Sequence, residues 1–311
     1  MGPTASGKTD LAIELSKHLP CDIISVDSAM VYKNLDIGSA KPNQEILKKY
    51  PHRLINICEP SQVYSAAQFR EDVILEIDKI LSKNRLPLLV GGTMLYFKIL
   101  QQGISDLPSA DPKTREKLVK LAEQHGWEYL HDYLRKIDPK SAERIHPNDP
   151  QRMQRAIEVY ELTGKSLSEH WSQERQDSKQ KEYQNKNNYR FINIALSLDR
   201  KILHQRIEQR FDQMLKMGFM AEVEKLYARR DLDIHQNLPA IKSAGYQQAW
   251  KYLMAEYDED TMREKAVVAT RQLAKRQITW LRSWPDLKFF DALDADLVQI
   301  TENYIKHKME I

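Results

Sequence analysis

Only two cysteines, Cys21 and Cys58, occur in the 311 residues. That is too few for a disulfide framework or a Cys-based zinc site, and both read as small buried hydrophobes in a reducing compartment. The nine histidines show no metal-ligand spacing. No apolar run approaches the length of a membrane span and no signal peptide precedes the first motif, so a cytoplasmic enzyme is expected, with no membrane partner. Charge of one sign is scarce as well. The net charge is +3 although 29% of residues are charged, so a polyanionic partner would have to be met by local patches rather than by a global field. No internal repeat is visible. At this length a large domain plus a smaller one is expected.

What is present begins at once. Gly2-Pro3-Thr4-Ala5-Ser6-Gly7-Lys8-Thr9 matches G-x-x-x-x-G-K-[ST], an ATP-binding-type loop that wraps a phosphate chain in backbone amides. Gly2 and Gly7 permit the tight turn, Lys8 brings a mobile charge, and the Thr9 hydroxyl is placed to ligate Mg²⁺. Asp10 to His18 reads as the helix whose N-terminus faces the anion. Such a loop normally follows a buried strand, and only Met1 precedes Gly2. Losing that strand would cost several kcal/mol, so a start roughly a dozen residues further upstream, with room for a short strand, is expected.

Asp22 to Asp27 is an apolar run ending in an acid, as in a parallel strand whose carboxyl end faces a site. Further strands are expected at Arg53–Cys58, at Leu86–Thr93 and, after a long interval, at Phe191–Leu196. A helix is expected over Tyr64–Leu81. The first third therefore reads as a doubly wound α/β layer. From Asp111 to about Leu167 the pattern is helical: Thr114–His125, Trp127–Lys136, Ser141–Ile145 and Arg152–Thr163, with Trp127, Tyr129 and Tyr133 as core residues. Ser172–Asn188 is polar and nearly free of aliphatics, and reads as an exposed, mobile connection. Helices return at Arg200–Met217, Ala221–Ala228, Tyr246–Met254 and Asp260–Leu281.

A further absence is chemical. The Leu88-Leu89-Val90 strand ends in Gly91-Gly92-Thr93, where an ATPase or kinase would usually place a second acid for Mg²⁺. Asp27 is the one acid at a strand end near the loop, and serves either as a cap or as a base across from the phosphate site. The last long helix carries Arg263, Lys265, Arg271, Lys275, Arg276 and Arg282, with Glu264 the one acid between Arg263 and Arg282, and Trp280 and Trp284 nearby. Arg152 and Arg155 are three apart, hence on one helical face. Both sets read as solvated surface or as phosphate contacts for nucleic acid.

Taken in order, GPTASGKT at 2–9, SVDSAMVYKNLDIGSAKP at 25–42, LLVGGTMLYFKIL at 88–100, LPSADP at 107–112, RIHPNDPQRMQRAIEV at 144–159, HQRIEQRF at 204–211 and ATRQLAKRQITWLR at 269–282 resemble the bacterial tRNA dimethylallyltransferases. The resemblance implies an α/β fold with a P-loop NTPase-like parallel-sheet core (1–110), an inserted all-helical domain with a polar connection (111–187), and a return to the core with a helical C-terminal region (188–311). It implies transfer of a dimethylallyl group from dimethylallyl diphosphate to N6 of the adenosine 3′ of the anticodon in tRNA, with Mg²⁺, by a monomer. Asp27 would be the base, beside Thr93 and Arg115. Gly2, Pro3, Thr4, Ala5, Ser6, Gly7, Lys8 and Thr9, with Arg210, would hold the diphosphate, and Thr9 the metal. Asp27, Ser28, Ala29 and Met30, and Gln151, Arg152, Met153, Gln154 and Arg155, match tRNA-contacting segments. So do Lys242, Ser243, Ala244, Gly245, Tyr246 and Gln247, and the run of Lys275, Arg276, Gln277, Thr279, Trp280 and Arg282. The competing readings are a P-loop kinase of a small metabolite, prenylation of free adenine nucleotides, and a non-catalytic RNA-binding module.

Overall fold

A computed structural model describes residues 1–103, 107–180, 189–233 and 238–309. The chain forms two compact units, one from residues 1–101 with 190–311 and one from residues 102–189.

The first unit is built on parallel strands. β1 (Cys21–Val26) pairs on one side with the short β2 (His52–Arg53) and on the other with β3 (Leu86–Gly91), in a register running from Cys21 opposite Leu86 to Val26 opposite Gly91. β4 (Asn193–Ser197) and β5 (Leu287–Asp291) form a second parallel pair. The main chain of Met1 bonds to β4, accepting from the Leu196 amide at 3.1 Å and donating to the Ile194 carbonyl at 2.7 Å. α1 (Lys8–His18) and the residue that follows it lay Leu11, Leu15 and Leu19 against Leu196 of β4, Phe290 of β5 and Ile305 of α14 (Leu297–Met309). α3 (Ala66–Leu81) starts from a reciprocal Ser65–Gln68 capping box and buries Phe69, Val73, Ile77 and Ile80, the stripe that its 3.6 period dictates.

The expected strand over 53–58 ends after Arg53. Leu54 and Asn56 both have left-handed φ, at 62° and 58°, which no ladder accommodates, and pairing resumes only as a bridge between Cys58 and Tyr32. Elements that periodicity alone does not disclose are α2 (Gln44–Lys49), α4 (Met94–Gln102), β5 and α14.

The segment between β1 and α2 is irregular yet fixed. α10 (Arg200–Lys216), α11 (Phe219–Tyr227), α12 (Tyr246–Leu253) and α13 (Glu259–Arg282) form the largest apolar cluster with Val31, Tyr32 and Leu35 of this segment. Glu222 of α11 accepts from the successive amides of Asp36, Ile37 and Gly38 at 3.0, 2.8 and 3.2 Å, and from the Tyr246 hydroxyl at 2.6 Å. A Cβ on Gly38 would stand 2.2 Å from the Phe219 ring, so only glycine lets the loop come this close. Lys41, its side chain 1% exposed, ties Tyr32 O, Asp36 and Asn56 together.

The second unit is helical: α5 (Pro112–His125), α6 (Trp127–Ile137), α7 (Pro139–Arg144), α8 (Pro150–Thr163) and α9 (Leu167–Gln180), around Leu118, Leu130, Leu134, Met153 and Ile157. Three of these helices begin two residues ahead of the periodic signal. Asp111, Asp138 and Asp149 cap them, each with proline at the first helical position, where a missing N–H costs nothing. Tyr129 is not a core residue, being 51% exposed beside His125. The polar stretch from 172 continues α9 to residue 180: lack of aliphatics removes a packing face, but Glu, Gln, Lys, Arg and Ser without Gly or Pro still favour a helix. Residues 181–188 of that expected connection lie outside the described residues. Among the described residues no helix is long and apolar enough to cross a membrane.

Glu222→Ala strands three amides and a buried phenol at once. Urea denaturation is expected to show a loss on the order of 2–4 kcal/mol; a loss below about 0.5 kcal/mol would mean that water replaces the carboxylate.

Candidate active site

The carboxyl ends of β1 and β3 lie side by side, where ligands bind in open parallel sheets. Asp27 follows β1 and Gly92-Thr93 follows β3. The Thr93 amide donates to Val26 O at 3.2 Å, and Thr93 Oγ1 accepts from the Ser28 amide at 3.0 Å. Asp27 Oδ1 accepts from the amides of Ala29 and Met30 at 2.8 and 3.1 Å, so the turn is fixed through one of the two carboxylate oxygens. The cap and base readings of Asp27 are thus compatible. A Cβ at Gly91 would fall 2.0 Å from Val26 O. The strand end that lacks a second acid has no room for any side chain.

Around the amino end of α1 the loop takes left-handed φ at Ala5 (64°) and Gly7 (86°), and its turn brings Ser6 Oγ to 2.9 Å from where a Cβ of Gly2 would lie. Alternation of this kind turns successive N–H groups toward one concavity, an anion nest at a helix N-terminus. Ser6 Oγ is buried with no partner, and Lys8 Nζ turns back onto Pro3 O. Arg210 of α10 donates to Thr4 Oγ1. Lys8 and Arg210 both feel the charge of Asp27. Burial and then the Arg210 guanidinium lower the Lys8 ammonium from 10.5 to about 7, against the opposing pull of Asp27. Burial lowers Arg210 too. Two cations crowded into one desolvated nest are the signature of a site built for a multiply charged anion.

Thr9 stands in the first turn of α1. No group of three His, Cys, Asp or Glu that could hold a metal occurs among the described residues. A protein cage is thus absent there. The donor set suits instead a hard cation such as Mg²⁺ that takes one hydroxyl, waters and substrate phosphate oxygens; with the orphaned Ser6 hydroxyl and the glycine-lined nest, the loop fits a metal–diphosphate pair.

The expected RNA-facing residues separate into two groups. Ser28, Gln151, Arg152, Lys242, Lys275, Arg276, Thr279 and Arg282 are exposed, and Ala29, Met30, Gln154, Ser243, Ala244 and Gln247 partly so. Trp280 is 36% exposed with Lys98 over its ring. Met153, Gly245, Tyr246 and Gln277, expected in the same segments, are buried. Met153 is fully buried in the second unit's core, Tyr246 lies against Glu222, the Gly245 amide is taken by Gln248, and Gln277 points inward. Each stands in or beside a helix with one wet and one dry face, and a motif read as a block does not tell the two apart.

Several cations are also spoken for. Glu158, 0% exposed, accepts from Arg115 at 2.8 and 3.1 Å, from Arg155 at 2.6 Å and from the Asp111 amide at 2.9 Å; burial would raise this carboxyl, but the Arg115 and Arg155 guanidiniums hold it below the usual range. Arg263 and Arg271 are paired with Glu208 and Asp212 of α10, so the stripe on α13 is shorter than its sequence suggests.

Residues 30–284 match the family described as IPP transferase. The chain is 59% identical over 307 residues to a tRNA dimethylallyltransferase of Coxiella burnetii, covering 98% of this chain and 99% of that one. It is similar to the crystal structure of a full-length tRNA isopentenylpyrophosphate transferase of Bacillus halodurans (TM-score 0.70, 35% identity, 99% of this chain and 95% of that one). It is also similar to a eukaryotic dimethylallyltransferase acting on tRNA (TM-score 0.75, 26% identity, 98% and 78%). A parallel α/β core of the P-loop NTPase-like kind, with a nest for a diphosphate-like anion, defines the class. Within it, the chain belongs to the IPP transferase family.

A diphosphate bound in the nest would restore the charge of Lys8. With that ammonium lowered to about 7 in the free protein, binding of an alkyl diphosphate would take up a proton above that pH, and affinity would fall as pH rises. Calorimetry at about pH 8 in buffers of different ionisation enthalpy is expected to show uptake approaching one proton, vanishing in Lys8→Met. Equal uptake by both proteins would place the titrating group elsewhere.

Proposed function

We propose that this protein transfers the dimethylallyl group of dimethylallyl diphosphate to N6 of the adenosine 3′ of the anticodon in tRNA, in the cytoplasm and with Mg²⁺, releasing diphosphate. One observation carries the reading: a strand-end carboxylate lies within electrostatic reach of two cations in a phosphate nest, on a chain whose strand ends leave no place for a second metal-binding acid. That arrangement suits departure of a diphosphate rather than hydrolysis of a nucleotide.

The chemistry asks three things of the residues. The bond from allylic C1 to the diphosphate oxygen breaks, so negative charge grows on oxygen; loop amides, Lys8 and Arg210 are fixed donors for it. Mg²⁺, held by Thr9 and the phosphate oxygens, would neutralise the remainder. Adenine N6 is a weak nucleophile because its lone pair is delocalised into the ring. As N6 bonds to C1, the other carboxylate oxygen of Asp27 accepts the N6 proton, and Thr93 holds the Ser28 turn beside it. The adenosine must leave its loop stack, at a few kcal/mol, and RNA contacts offset that. Exposed Lys275, Arg276 and Arg282, with Trp280 as a stacking face, supply contacts of the kind required. In the second unit Glu158 presents Arg115 with a fixed orientation.

Incubating the protein with tRNA, dimethylallyl diphosphate and Mg²⁺, then analysing nucleoside masses, tests the function: an adenosine heavier by one dimethylallyl group is expected, and its absence ends the reading. Asp27→Ala is expected to lower turnover on the order of 10²–10⁴-fold while diphosphate-substrate binding stays near wild type; retention of half the rate would remove Asp27 from the mechanism. Thr9→Ala should instead weaken the allylic substrate with tRNA affinity unchanged. Reversing charge at Lys275 and Arg276 should raise the tRNA dissociation constant. It should also make the log affinity–log salt slope shallower by roughly one unit for each phosphate no longer neutralised. An unaltered slope would locate the RNA path elsewhere.

A further inference from the structure

Gln277 lies on α13 among exposed cations, yet it is 7% exposed and faces the other way. Its Oε1 accepts from the Thr4 amide at 2.8 Å, and its Nε2 donates to the Gly92 carbonyl at 2.9 Å. Thr4 belongs to the phosphate loop and carries Arg210 on its hydroxyl. Gly92 immediately precedes Thr93, which holds the turn after Asp27. One side-chain amide therefore ties the segment that would receive the leaving group to the segment that would receive the acceptor. The fit is tight: a Cβ on Gly92 would come within 2.3 Å of Nε2 and 3.3 Å of Gly2 O.

The chemistry of the bridge is restrictive. Thr4 offers only an N–H there and Gly92 only a carbonyl, so the group between them must accept at one atom and donate at the other. A primary amide does this. A carboxylate accepts from Thr4 but sets a second lone pair against Gly92 O. A protonated carboxylic acid does both, and leucine does neither.

We propose that Gln277 is a positioning residue, not an RNA contact. It sets the spacing between the phosphate loop and the Gly92-Thr93 turn, so that the allylic diphosphate and the acceptor nitrogen meet in a reactive geometry. This rests on the transfer reading. Misplacement of either partner by a fraction of the bond-forming distance is costly in rate.

The test uses the full chain as wild type, Gln277→Leu and Gln277→Glu. Turnover is measured from about pH 5.5 to about pH 8.5, a window spanning the range to which burial raises a carboxyl; tRNA affinity is measured separately. Gln277→Leu is expected to lose on the order of tenfold in turnover at every pH, with tRNA affinity within about twofold of wild type. Gln277→Glu should match it at high pH and recover relative to wild type as pH falls, because the protonated acid rebuilds both bonds. A role in stability alone lowers the melting temperature of both variants without a pH-dependent recovery of turnover, and that result overturns the proposal. So does a tRNA affinity weaker by about tenfold with turnover unchanged at saturating tRNA, which would make Gln277 an RNA contact. Should Gln277→Leu fail to fold, Gln277→Glu carries the test, its own low-pH form serving as reference. A wild-type protein that yields no prenylated adenosine defeats both readings; wild-type product with unaltered Gln277 variants defeats this one only.

Discussion

The pairing of β1 with β3 is the constraint from which the site follows. Their register ends with Val26 opposite Gly91, and the close approach there is possible because residue 91 has no side chain. Asp27 and Thr93 are then delivered just beyond the ladder on neighbouring strands, and the Thr93 amide bonds back to Val26. The backbone thus brings an acid and a hydroxyl to one edge before any side-chain contact is considered. Helix packing adds the rest. α10 brings Arg210 to the loop at Thr4, and α13 brings Gln277 to Thr4 and Gly92.

Irregular segments in this protein are held by buried and half-buried polar groups rather than by apolar packing alone. Glu222 occupies three consecutive amides, Lys41 gathers a carbonyl, a carboxylate and an amide oxygen, and Glu158 gathers two guanidiniums and an amide. Each is a charge that would be expensive to bury unpaired and that is satisfied several times over. Such nodes specify one arrangement of a loop, because any other leaves the charge without partners.

Motifs whose meaning is carried by backbone shape were legible in the sequence. The phosphate loop, the apolar run ending at Asp27 and the glycine turn after β3 appear where their residues place them. Helix starts were less so: periodicity shows where apolar side chains recur, whereas Asp111, Asp138 and Asp149, each followed by proline, set the true beginnings two residues earlier. The strand expected over 53–58 failed because Leu54 and Asn56 take left-handed φ, a conformation that leucine does not signal and asparagine signals only weakly. The RNA-facing assignments mixed wet and dry positions. Met153, Tyr246 and Gln277 lie in segments that read as contacts, and only the packing shows that they point inward. The cationic stripe on α13 was overcounted for a related reason: the acids that neutralise Arg263 and Arg271 stand on another helix, far away in the chain.

The crowding at the end of β3 has an evolutionary side. To gain a second metal-binding carboxylate there, a descendant would have to place a side chain 2.0 Å from Val26 O at position 91, or 2.3 Å from the Gln277 amide at position 92. At position 91 the neighbour is the main chain of β1, so a side chain there demands a shift of the strand; at position 92 it is the end of a flexible side chain, so a side chain there costs the α13 bridge. In a fold shared with phosphate-cleaving enzymes, two glycines and the neighbours that fill the space beside them stand where a second acid would.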